Sequence, residues 1–318
     1  MRNDELIIAL DTSNYTTSVA IVDSEGGILA NFRKLLTVKS GERGLRQSDA
    51  VFLHTVNIPE LMKKAREVIG SRKIVAVGVS ERPRNVDGSY MPCFLVGVAA
   101  AESIAAALGV PLYRFSHQCG HVMAAAHTSG DTSILDAPFA AFHVSGGTTE
   151  LLRVSYNGDG FRSELLGGTS DLNAGQIIDR IGVYMGLSFP AGREMERLAL
   201  TYEGKIPGRK ISLSGMRANL SGLENMACKM YDETKDASLV SAFVLNYLGR
   251  VMIGLSEAYE ASYGATRFLY AGGVMCNSLI RRMLSEKFDA LFATPETSSD
   301  NAVGIAVLTL RSFCKGER

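Results

Sequence analysis

The sequence predicts an α/β protein of two similar lobes, and three observations carry that reading. A hairpin of two apolar strands around a small, hydroxyl-rich turn is written twice, at 6–23 and at 139–154. Strand-like and helix-like runs alternate after each copy, as expected of sheets covered by helices. The chain has 318 residues, long for one core and comfortable for two domains of about 150.

In the first hairpin, β-branched-rich runs at 6–11 and 17–23 flank the turn. Residues 50–69 carry Val51, Leu53, Val56, Ile58, Leu61, Ala65 and Val68 at roughly helical spacing. Ile74–Val79 reads as a short buried strand, 81–89 as a polar loop, and Leu112–Phe115 as a brief strand. Between them, Phe94–Leu108 is apolar and Ala-rich, interrupted by Glu102 and too short to span a bilayer, which predicts a buried helix. His117–Ala126 opens another helix.

The second hairpin, 139–154, turns at Ser145-Gly146-Gly147-Thr148-Thr149, and a polar crossing follows near 157–160. A helix is expected from about Ala174 to Met185, and Pro190 with Gly192 breaks the chain. Ser238–Tyr263 is a long amphipathic helix with Val240, Phe243, Val244, Tyr247, Leu248, Val251, Met252 and Leu255 on one face. A strand at Arg267–Tyr270 runs into Ala271-Gly272-Gly273-Val274, with a helix from Ser278. The polar stretch 294–302 leads into a last apolar helix.

Hydrophobic content of 46% and charged content of 21% describe an ordinary globular chain. Lys plus Arg equals Asp plus Glu, 33 each, so no global field attracts nucleic acid, and any RNA contact is local or shared with a partner. Five scattered cysteines without a CxxC pair suit a reducing compartment. The residues before the first strand, 1–5, show no signal-peptide pattern, so a cytoplasmic location is expected. No solenoid-period repeat is visible.

Four segments carry chemistry. His117 and His121, at i and i+4, lie on one helix face and suit a shared divalent metal with further ligands from elsewhere. The same spacing also suits two satisfied histidines at a helix N-terminus. Gly272-Gly273 is a strand–glycine–helix turn that seats a phosphate or sugar, or simply a tight turn. Ser298, Ser299 or Asp300 suits a helix N-cap, and Asp300 alternatively a third metal ligand. Asp171 and Asp179 offer carboxylates to a ribose, or lie on a solvated helix face near its N-terminus. Glycines and small hydroxyl residues in the two hairpin turns let backbone N–H groups approach an anion closely.

In order, six motifs resemble the tRNA threonylcarbamoyladenosine synthase family, TsaD and its relatives, long labelled O-sialoglycoprotein endopeptidases. These are His117-Gln-Cys-Gly-His121, His143-Val-Ser-Gly-Gly147, the stretch from Gly168 through Asp171, Gly175, Asp179 and Phe189 to Gly192, Ile211-Ser-Leu-Ser-Gly215, Gly272-Gly-Val-Met-Cys-Asn277 and Ser299-Asp300-Asn301-Ala302. The resemblance covers nearly the whole chain. It implies a duplicated actin-like ATPase fold, two lobes around a nucleotide-binding cleft. The first lobe would be 1–115, completed by a C-terminal helix at about 301–318, and the second 116–300.

By resemblance, His117, His121 and Asp300 bind one divalent metal, iron or zinc. His143, Val144, Ser145, Gly146, Gly147, Asp179, Gly192 and Asn277 hold the adenylate or an ATP-type nucleotide. The implied reaction moves a threonylcarbamoyl group from threonylcarbamoyl-adenylate to the N6 amine of the adenosine beside the anticodon of tRNA. No catalytic side chain is assigned. The implied partners are tRNA, a TsaB-like paralogue and a small ATPase, with no membrane.

The family pattern is not kept everywhere. Its opening ETSCDETS is Asp11-Thr-Ser-Asn14-Tyr15-Thr16-Thr-Ser18 here, its GPGL loop is replaced by Glu81-Arg-Pro-Arg84, its DDAxGE reads Asp171-Leu-Asn-Ala-Gly-Gln176, and the histidine of VSGGHT is Thr148. The metal triad and Asn277 remain, which predicts a divergent paralogue that still binds metal and nucleotide. Alternatives are a non-catalytic TsaB-like assembly subunit, which lacks the histidine pair, another carbamoyl or phosphoryl transferase, and a metallopeptidase. Against the last, no HExxH is present and no glutamate lies between the histidines.

Overall fold

Both hairpins form, and each opens a sheet. The chain runs β1 (Glu5–Ser13), β2 (Thr16–Val22), β3 (Ile28–Leu35), α1 (Gln47–Ile69), β4 (Lys73–Arg82), α2 (Phe94–Leu108), β5 (Leu112–Ser116) and α3 (His117–Thr128). It restarts with β6 (Phe139–Val144), β7 (Thr149–Tyr156), β8 (Phe161–Thr169), α4 (Ala174–Tyr184), α5 (Gly192–Leu200), β9 (Leu213–Ser214), β10 (Arg217–Ala218) and α6 (Ser221–Thr234). It ends with α7 (Ala237–Tyr263), β11 (Phe268–Ala271), α8 (Ser278–Ser285), β12 (Ala290–Phe292) and α9 (Val303–Gly316). The structure, a computed structural model, describes residues 1–13, 15–37, 45–86, 88–158, 160–297 and 300–316.

One unit comprises Met1–Gly130, Tyr156–Arg162 and Ser299–Arg318, the other Asp131–Ser155 and Ser163–Ser298. Where the sequence reading starts the second lobe at 116, the first unit runs on to Gly130, because α3 packs against α9.

The first unit holds a five-stranded sheet in the order β3-β2-β1-β4-β5. Its β1–β2 and β2–β3 pairs are antiparallel, and β1–β4 and β4–β5 are parallel. Strand side chains alternate between faces. Leu6, Ile8 and Leu10 of β1, with Val77 and Val79 of β4, pack against Ile58, Leu61 and Ala65 of α1 and Ala101 and Ala105 of α2. On the other face, Gly78 of β4 lies so close to α9 that a Cβ there would fall 2.1 Å from Thr309 Oγ1. Glycine lets that helix lie directly on the sheet.

Two helices differ from their expected faces. α1 buries Ile58, Leu61 and Ala65, but also His54 and Asn57, while Val56 is exposed. The polar pair turns inward to Thr17 of β2: His54 Nδ1 lies 2.8 Å from Thr17 Oγ1, and Asn57 Nδ2 donates to that oxygen at 3.1 Å. α2, expected to be buried, buries only Phe94, Gly97, Ala101 and Ala105, with Leu95 and Leu108 exposed. Its small residues recur every three or four positions, so only one stripe meets the sheet.

In the second unit, the sheet order is β12-β11-β6-β7-β8-β10-β9. Its run β8-β7-β6-β11-β12 repeats the order of the first sheet, the structural counterpart of the doubled hairpin. β6–β7 is antiparallel, while β6–β11 and β11–β12 are parallel. α7 is long and apolar enough to cross a membrane, but 72% of its most apolar window is buried against α5, α6, α8 and the sheet. It is the core helix of this unit.

Candidate metal centre

The first unit brings His117, His121 and Asp300 together through one helix crossing. Ser116 caps α3, its Oγ accepting from Cys119 N at 3.2 Å, so His117 opens the helix and His121 follows one turn later on the same face. At Gly304 of α9, a Cβ would lie 1.8 Å from Gly120 O and 2.7 Å from Ala124 N. The α3 and α9 backbones therefore touch. Asn301 Oδ1 accepts from Val303 N at 2.9 Å at the start of α9, which leaves Asp300 for the histidines rather than for a cap. Ser298 and Ser299, the other proposed caps, lie outside the described residues.

His117 Nε2 and His121 Nε2 are 2.9 Å apart, and Asp300 Oδ1 lies 3.5 and 3.3 Å from them. One donor atom from each residue falls within 4.8 Å of the others. Metal–ligand bonds of about 2.0–2.1 Å place neighbouring ligand atoms about 3–3.5 Å apart, so this donor set fits a divalent ion. Two imidazoles and a carboxylate suit zinc or iron equally.

Sequence reasoning missed the group behind this triangle. Asp11, fully buried in β1, lies with Oδ2 2.7 Å from His117 Nδ1, and its Oδ1 accepts from Ser13 N at 2.8 Å. The available signal was a carboxylate closing the apolar run Leu6–Leu10, since a buried charge needs a partner. Burial pushes the Asp11 carboxyl up, but the His117 charge and hydrogen bond outweigh it and hold the group below the usual carboxylate range. Burial likewise pushes His117 down, and Asp11 and Asp300 overcome this to raise it to about 10. Burial opposes ionisation of Asp300 too, yet bonds to His117 and His121 leave it well below its ordinary value. Without an ion, a proton shared among these groups balances the two carboxylates. A metal cation would take over that role.

In the second unit, the turn after β6, the start of α4 and the glycine turn before Asn277 meet at one end of the sheet. Ser145 N donates to Thr148 O at 2.8 Å, and Ser145 Oγ accepts from Gly147 N and Thr148 N, both at 3.2 Å, which closes a tight turn after β6. A Cβ at Gly146 or Gly147 would meet nothing within 4 Å, so the turn presents bare backbone on its open side. His143 Nδ1 lies 3.4 Å from Thr148 Oγ1 beneath it. α4 starts directly against this turn, where a Cβ on Gly175 would fall 2.6 Å from Gly146 N. Gly272 (φ +100°) abuts β6, its Cβ position 2.3 Å from Val144 O, which brings the turn before Asn277 to the same end.

The polar side chains named as ligand contacts have structural duties as well. Asn277 Oδ1 caps α8, accepting from Leu279 N and Ile280 N at 3.1 Å each. Asp179 Oδ1 accepts from Ala191 N at 2.8 Å, beside Gly192 at the start of α5. Asp171 spends its carboxylate on Leu220 N and Ser221 N, at 2.8 and 2.9 Å, where α6 begins.

The model of TsaD, tRNA N6-adenosine threonylcarbamoyltransferase, matches residues 29–307. Curated relatives of that name include proteins of Streptococcus suis (30% identical, covering 99% of this chain and 94% of that protein) and Streptococcus sanguinis (32%, 98% and 94%). Among solved structures, HypF of T. kodakarensis aligns with a TM-score of 0.61 at 12% identity, over 98% of this chain and 48% of that one. Component A of the Acidaminococcus fermentans (R)-2-hydroxyglutaryl-CoA dehydratase aligns at 0.53 and 12%, over 98% and 99%. These likenesses place the fold in the actin-like ATPase class. A family match over residues 29–307, with relatives about 30% identical across nearly the whole chain, puts the chain in the tRNA N6-adenosine threonylcarbamoyltransferase family.

Proposed function

We propose that this chain transfers a threonylcarbamoyl group from threonylcarbamoyl-adenylate to the N6 amine of the anticodon-adjacent adenosine of tRNA, with one divalent metal, iron or zinc, on His117, His121 and Asp300. The observation that carries this reading is the closed triangle of donor atoms in a chain of this family. When bound, the ion supplies Lewis acidity and a template for phosphate and carbamoyl oxygens. The N6–carbon bond forms, the carbon–oxygen bond to the adenylate phosphate breaks, AMP leaves, and N6 gives up one proton to solvent.

In the second unit, Gly146 N–H and the positive end of α4 would receive phosphate oxygens. Asp179 Oδ2 would take a ribose hydroxyl, and Asn277 Nδ2 would reach the ligand while Oδ1 keeps its cap. Gly192 would leave room beside the sugar. Scattered free cysteines support a reducing, cytoplasmic setting. A TsaB-like paralogue and a small ATPase would be the partner subunits. No observation favours the assembly-subunit or peptidase alternatives.

The test combines metal analysis with complementation. Purified protein should carry about one metal per chain, lost in H117A, H121A and D300A. Metal content unchanged in all three variants refutes the site. In a strain depleted of its own transferase, the chain should restore the modified nucleoside, read by mass spectrometry. Soluble, metal-loaded protein that restores none, even with its partner subunits supplied, refutes the proposed acceptor.

A further inference from the structure

We infer that Asp11 is a positioning residue, which fixes the tautomer and ring angle of His117 and so presents its Nε2 to the metal. The inference rests on the metal reading above. Asp11 sits in β1, hydrogen-bonded between β2 and β4, where Asp11 pairs with Ser18. Both carboxylate oxygens are directed, Oδ1 by Ser13 N and Oδ2 by His117 Nδ1.

A carboxylate only accepts hydrogen bonds, and a neutral imidazole carries one proton. With the ion bound and the ring neutral, the 2.7 Å contact places that proton on Nδ1 and leaves the lone pair for the metal on Nε2. That atom faces His121 Nε2 and Asp300 Oδ1, the other two donors. The opposite tautomer would set the Nδ1 lone pair against a carboxylate oxygen. The Phe94 ring stands edge-on to His117 with centroids 6.1 Å apart. A carboxylate behind a ligating histidine also strengthens that ligand.

The experiment uses the full chain loaded with zinc. Long-range proton–nitrogen spectra of labelled histidines should show His117 protonated at Nδ1 and zinc-bound at Nε2. The reverse pattern overturns the inference and needs no variant. In competition with a chelator, D11N and D11A should hold zinc about 10- to 100-fold more weakly, and D11E should recover part of the loss. If both fold as the wild type does and bind within twofold of it, Asp11 does not position the ligand. Metal loss in H117A alongside wild-type binding in D11N would sink only this inference. Binding retained in H117A, H121A and D300A alike would sink the metal site itself.

Discussion

The contact between α3 and α9 predicts that a single methyl group will open the metal site. In G304A, the new Cβ would lie 1.8 Å from Gly120 O, whereas ordinary contact begins near 3.4 Å. The partner is backbone, so no side chain can swing aside, and α9 must retreat by about 1.5 Å or tilt. Asp300 lies three residues before the first residue of α9 and would move with it. The 3.3 and 3.5 Å separations from the histidines would widen beyond what metal bonds of about 2.1 Å allow. Overpacking of this kind costs about 1–3 kcal/mol, and loosening one of three ligands should weaken metal binding at least about tenfold. Chelator competition reads the second effect and urea unfolding the first. G208A, where a Cβ meets nothing within 4 Å, is the control. If G304A holds metal as tightly as G208A does, the helix contact does not set the position of Asp300.

Other perturbations have defined outcomes. Burial holds the His54 imidazole down at about 4 against the pull of Asp11, while the unfolded chain titrates near 6.5. Between those values the unfolded state binds the extra proton, so stability should fall as pH drops from about 6.5 to about 4, by on the order of 3 kcal/mol. H54Q should flatten that slope in urea titrations, and superimposable profiles would count against the assignment. D171A removes the acceptor for two N–H groups at the start of α6 and should cost about 1–2 kcal/mol without changing metal content. Burial opposes ionisation of Asp171, but those bonds bring it to about 2, so its contribution is present above about 4 and fades as pH falls through 2. G175A, with its Cβ 2.6 Å from Gly146 N, should abolish adenine-nucleotide binding measured by calorimetry. Chelation should lower the melting temperature, with about 2.7 kcal/mol regained at a hundredfold excess of metal over Kd.

The sequence was most legible where one physical rule dominated. Continuous apolar, β-branched-rich runs around a small polar turn marked β1, β2, β6 and β7, and the long apolar stripe of α7 was unmistakable. β3 and α5 escaped notice because their runs, such as Gly192-Arg-Glu-Met-Glu-Arg-Leu-Ala-Leu200, are too polar to stand out without the core they lean on. α2 looked buried because composition counts apolar residues but not their faces. Spacing paired His117 with His121, yet Asp300 depended on family motifs, since only tertiary packing joins residues so far apart. Asp11 was visible as a letter and invisible as a partner. Its role follows from sheet register and from the position of α3, neither of which the sequence states.

The crossing at Gly304 also orders events during synthesis. His117 and His121 leave the ribosome about 180 residues ahead of Asp300, a lag of roughly 10–40 s at ordinary elongation rates. Throughout that interval the first sheet lacks α9 on one face, and the histidines have only two-thirds of their donor set. The entire second unit emerges before the first is finished. On the proposed metal site, a chain that stops before Asp300 would hold only the two histidine donors. A truncated product would expose the bare face of the first sheet, a surface that chaperones and proteases recognise.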